Sequence, residues 1–140
     1  MEESSVDKFY ELTYYTLGHP DPLYFIHQHV VDAYQAQIAN ENTKPIAITF
    51  SLIGLYLYLE KNYTGRQVQL AHMKLSQHKK LWPKVELPNQ MGEITISDVL
   101  QATPGQMRDA MIKEWCASVW RAYKNSHATV ASLVRSELGV

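Results

Sequence analysis

The chain has 140 residues, 46% hydrophobic and 19% charged, with a formal net charge of -1 and one cysteine, Cys116. That length fits a single domain over residues 1–140 and can bury a core without a covalent staple. The near-zero charge excludes an electrostatic basis for binding DNA, RNA or an anionic membrane, and one cysteine excludes an internal disulfide or a cysteine-based zinc cluster.

Met1-Glu2-Glu3-Ser4-Ser5 is acidic and polar, the opposite of a secretory leader, so a cytoplasmic location is expected. Ser4 or Ser5 caps a first helix, with Asp7 placed for part of a capping box. Val6, Phe9, Tyr10, Leu12, Tyr14 and Leu17 give it an aromatic-rich face, and Gly18 ends it. After the connector His19-Pro20-Asp21-Pro22, Asp21 caps a second helix predicted from Pro22 to about Ala39. At helical spacing Leu23, Ile26, His27, Val30, Tyr34 and Gln37 share one stripe, with Phe25, His29, Asp32 and Ala36 on the other side. A helix apolar on both flanks is interior, so its polar side chains need partners.

Asn40 to Pro45 is a polar turn, followed by the most apolar run, Ile46 to Leu59. That run is shorter than the roughly 20 residues that cross a bilayer and reads as a central core helix. Ala47, Ser51 and Gly54 let a neighbour approach closely, and Thr64 caps the next helix, predicted from Gly65 to Lys80. Val68, Ala71, His72, Leu75, Lys79 and Trp82 fall at helical spacing there. An irregular connection covers residues 82–97, with Pro83, Pro88 and Gly92 inside it. Thr95 or Ser97 with Asp98 then starts a short helix over Val99 to Ala102. Thr103-Pro104-Gly105-Gln106 begins a long last helix, running to at least Asn125 with a pattern that continues past Arg135. Its main stripe is Ile112, Cys116, Val119, Trp120, Tyr123, His127, Val130 and Val134. The expected fold is all-α, one bundle of five or six helices.

Histidines on three helices border core-facing stripes: His27 or His29, His72 and His127. Asp32 lies three positions after His29, so both side chains reach one point. Neutral imidazoles and a carboxylate from separate helices are how bundles build metal sites. The candidate ligands for one divalent ion (zinc, iron or manganese) are therefore His29, Asp32, His72 and His127. Tyr34 and Gln37 would surround them, and Trp115 and Trp120 are candidate binding aromatics. An open coordination position would suit metal-assisted hydrolysis. The competing reading makes the same residues a hydrogen-bonded structural network in a binding or assembly module, with homo-oligomerisation covering the aromatic faces. No His-Glu-x-x-His pair is present. Cys116 is a poor nucleophile candidate, because His127 lies eleven residues along the same predicted helix, about 16 Å away.

The run His29-Val30-Val31-Asp32-Ala33-Tyr34-Gln35-Ala36-Gln37 resembles an uncharacterised family of short bacterial proteins, a domain of unknown function. The resemblance continues through Leu52 to Glu60, Gly65 to His72, Trp82-Pro83, Ile94 to Val99, Trp115-Cys116-Ala117-Ser118-Val119-Trp120, and His127. It implies a helical fold and a bacterial source, and no activity. Some relatives carry cysteines before the His-Asp helix; this chain has none there.

Overall fold

The computed structural model describes residues 4–18 and 24–140. Three of its helices begin at a cap that the sequence supplies, at Ser4, Thr64 and Thr95. The first, α1, is Ser5–Leu17, and the Ser4 hydroxyl accepts from the Asp7 amide. The second, α2, is His27–Ile38. The predicted start at Pro22 with its Asp21 cap lies outside the described residues. At Phe25 the backbone is left-handed (φ 49°), and Tyr24, Phe25 and Ile26 precede the helix. The central helix α3, Pro45–Lys61, ends at a left-handed Asn62. The next, α4, is Gly65–Leu75, opened by the Thr64–Gln67 capping box.

That helix does not continue to Lys80 as predicted. Turns close at Ser76 to His78, and His78 and Lys80 are drawn to Glu137 near the C-terminus. Trp82 thus belongs to the irregular connection, where its ring meets Phe50 edge-on at 5.1 Å. The short helix α5, Ile96–Gln101, is capped by Asp98 accepting from the Thr95 amide. The next helix, α6, is Gln106–Ala122, and it starts two residues later than predicted. Gly105 stands at its N-cap with φ 105°, its amide donating to the Tyr15 hydroxyl on α1. Thr103, read from the sequence as the N-cap, lies before the helix and contributes only its carbonyl, which accepts from the Arg108 amide.

The predicted long last helix is two. A 3-10 turn, Lys124–Ser126, separates α6 from α7, His127–Leu138. The described residues therefore form seven α-helices where five or six are predicted. Two side chains make the break. The Tyr123 hydroxyl donates to the Ala36 carbonyl at 2.6 Å, anchoring α6 to α2. The His127 ring stacks on Trp120 at 3.8 Å and its Nε2 donates to the Trp120 carbonyl at 2.7 Å. His127 is thus tied to the end of the preceding helix, as a second donor to a carbonyl that already accepts the Tyr123 amide. Replacing His127 by Ala should cost about 1–2 kcal/mol in urea unfolding, and His127→Phe, which keeps the stack, should cost less.

The core runs continuously between α2, α3 and α6, with α7 and α4 packed on α3 and α1 and α5 closing one side. Central α3 buries Ile48, Leu52, Ile53, Leu55 and Leu57. Gln37 ties the irregular connection down, donating to the Met91 and Ile94 carbonyls and accepting from the Trp115 indole. Among the described residues no helix is long and apolar enough to cross a membrane.

Candidate functional site

The centre of the bundle holds two ionisable side chains on one turn of α2. His29 is 0% exposed and Asp32 2%. Between His27 and His29, it is His29 that faces the core; His27 is half-buried and pairs with the Thr16 hydroxyl at 2.9 Å.

Asp32 is admitted by a glycine. A Cβ on Gly54 would overlap Asp32 Oδ2 and lie 2.6 Å from its Cγ, so only a bare Cα lets the carboxyl lie against α3. A glycine in mid-helix costs about 1 kcal/mol relative to alanine. Here that cost makes room for the carboxyl.

One carboxyl oxygen is held and the other is not. Gln28 Nε2 donates to Asp32 Oδ1 at 3.3 Å and lies 3.4 Å from His72 Nδ1. His72 Nε2 is 2.8 Å from the Phe50 carbonyl, which can only accept, so Nε2 carries the hydrogen and Nδ1 accepts the second Gln28 hydrogen. A directed chain results, from the Gln28 amide to both Asp32 and His72, and from His72 to α3. Asp32 Oδ2 and both ring nitrogens of His29 are buried without a partner among the described residues.

The imidazole of His29 is packed by aromatics. Tyr58 stacks on it at 3.5 Å with rings 8° apart, and Tyr24 meets it edge-on at 6.0 Å. Tyr24 is 37% exposed and covers the cluster from outside. Its carbonyl accepts from the Gly65 amide at 2.6 Å, and Gly65 presses so closely on Phe25 that a Cβ there would clash with backbone. A non-glycine residue in left-handed backbone costs roughly 1–2 kcal/mol, so the Tyr24–Phe25 cover is strained where it meets α4.

Burial sets the charge of the cluster. It pushes Asp32 well above the usual carboxylate range, with the Gln28 bond opposing, and pushes His29 down to about 3. His72 is also lowered by burial, against its bond to Phe50. The Cys116 thiol, which donates to the His29 carbonyl at 3.6 Å, is raised by burial and then by the Asp32 charge. A thiol held protonated in the core is not a nucleophile. The sequence-based distance to His127 does not apply, because the helix breaks between them.

Of the four ligands predicted from sequence, the structure joins three in part: His29 and Asp32 share a turn, and His72 reaches Asp32 through Gln28. His127 is engaged with Trp120 instead. Among the described residues no three His, Cys, Asp or Glu side chains are grouped to hold a metal ion. The other predicted binding residues hold the frame. Tyr34 stacks on Phe9 at 4.4 Å and bonds Ser5, Trp115 bonds Gln37, and Trp120 bonds Glu60. Sequence reasoning missed Gln28, Tyr24 and Tyr58 as parts of the cluster. Gln28 was within reach, one turn before Asp32 on the same helix.

No curated protein and no solved structure matches the chain. A family model matches residues 4–124, which takes in α1 through α6 with His29 and Asp32 and stops before His127. The chain belongs to DUF5946, a family of unknown function.

Proposed function

We propose that this is a small bacterial, cytoplasmic binding protein that holds one divalent cation at His29 and Asp32. The observation that carries the reading is the placing of unpartnered polar atoms. Of four buried side-chain polar atoms lacking a protein partner among the described residues, three are His29 Nδ1, His29 Nε2 and Asp32 Oδ2; the fourth is Thr13 Oγ1. Buried polar groups are almost always bonded, so three such atoms on one helical turn call for a ligand.

A cation suits them because it takes a nitrogen lone pair and a carboxylate oxygen together. Such a mixed set is compatible with zinc, iron or manganese. Gln28 would fix the carboxyl by its other oxygen, and His72 would fix Gln28, the kind of outer support that orients ligands. Two side-chain donors leave the remaining coordination positions to water or a small ligand. Entry requires the Tyr24–Phe25 cover to move. The tight seal favours binding over turnover, since a hydrolase must pass substrate through the same opening.

The test is elemental analysis of tag-free protein loaded with zinc or manganese and then desalted, beside His29→Ala and His127→Ala. Stoichiometric metal in the wild type and in His127→Ala, lost in His29→Ala, is the expected result. Wild-type protein that retains no metal, or equal retention in all three, would overturn it.

A further inference from the structure

We infer that the outer face of α1 is a homodimer interface and that its occupant is α1 of a second copy, packed antiparallel. Val6, Tyr10, Tyr14 and Leu17 are 51%, 64%, 87% and 58% exposed. At 100° per residue they fall within an arc of about 80°, one continuous apolar stripe. The helix beneath is fixed in place. Ser5 bonds Tyr34, Lys8 bonds Ser97, and Tyr15 bonds Asp109 on α6. The stripe is therefore presented rigidly and not on a loose terminus.

Its chemistry selects the occupant. The exposed arc carries no basic side chain, only Asp7 and Glu11 along one edge, which gives no grip on a nucleic acid or an anionic membrane. Two-fold packing that sets Tyr10 opposite Tyr14 of the second copy repeats the same aromatic pair twice. The same register places Glu11 opposite Thr13 and Asp7 opposite Leu17, so no carboxylate meets a carboxylate. An isologous contact of this kind needs a self-complementary patch, and the Tyr10–Tyr14 pair supplies one, with Val6 and Leu17 extending the apolar surface at its ends. A net charge of -1 per chain adds little repulsion between copies. The four side chains expose roughly 500 Å² of apolar surface, a large part of the roughly 800 Å² that each partner contributes to a standard interface.

Light scattering on the full chain at micromolar concentration tests the pairing. A dimer is expected, converted to a folded monomer by Tyr14→Glu, an exposed position that leaves the core untouched. The register is tested by mixing Tyr10→Cys with Tyr14→Cys under mild oxidation; the native Cys116 is buried. Disulfide-linked heterodimer in the mixture, well above either variant alone, is expected. A wild-type chain that is monomeric overturns the inference. So does a dimer that survives Tyr14→Glu, or one that gives no excess of the mixed disulfide.

Discussion

Gly54→Ala should destabilise the fold by about 2–4 kcal/mol, although alanine is the better helix former by about 1 kcal/mol. The added methyl would occupy the space of the Asp32 carboxyl, at 2.6 Å from Cγ and 3.2 Å from Oδ1. Either α2 moves off α3, where the two helices pack most extensively, or the carboxyl swings away and abandons Gln28. Urea unfolding of Gly54→Ala, Asp32→Ala and the double variant decides which atoms collide. Removing the carboxyl removes the clash, so the double variant should be less destabilised than the sum of the singles by more than about 1 kcal/mol. Simple additivity would mean that Gly54 serves the backbone and not Asp32.

Asp32→Asn should stabilise the metal-free protein by about 1–3 kcal/mol at mildly alkaline pH, with the gain shrinking as pH falls. Asp32 titrates above its unfolded value of 3.8 because burial disfavours its charge. Below 3.8 both states are protonated and nothing is lost. As pH rises from there towards the folded value, the unfolded chain releases a proton that the folded chain keeps, and stability is lost. Asparagine has no proton to lose, and its carbonyl can still accept from Gln28. His29 acts in the opposite sense. Its folded value of about 3 lies below the unfolded 6.5, so its contribution is present above 6.5 and is lost as pH falls from there towards 3. Between 3.8 and 6.5 the two contributions oppose each other and nearly cancel, so wild-type stability should fall mainly on an alkaline limb above 6.5, and Asp32→Asn should flatten that limb and uncover the loss from His29 as pH falls below 6.5. Denaturation midpoints between pH 4 and 9 for both proteins would show it. An unchanged alkaline limb in the variant would mean that Asp32 is ionised in the folded chain.

His29 and Asp32 were legible in the sequence for a simple physical reason. Polar residues three apart on a helix that is apolar all round have to meet in the core. The cap signals at Ser4, Thr64 and Thr95 were equally local, and each is used. His127 was misplaced because the apolar period of three and four runs on from Trp120 through Tyr123 to Val130 without a gap. A 3-10 turn interrupts the backbone while leaving that stripe inward. What breaks the helix is Tyr123 reaching Ala36 and His127 reaching Trp120, and spacing alone reports neither. Tyr24 and Tyr58 could not be assigned to the cluster for the same reason. They meet across two separate segments, and an aromatic at helical spacing looks like ordinary core.

The most direct measurement is calorimetric titration of the full chain with zinc, run near neutral pH in two buffers of different ionisation enthalpy, beside Asp32→Asn. A cation that binds His29 and Asp32 must displace the proton that burial keeps on the carboxyl, whereas His29 is already neutral. The expected result is stoichiometric binding with proton release in the wild type, and loss of that release with weakened binding in Asp32→Asn. Binding with no proton release, or identical release from both proteins, would contradict a cation at this pair.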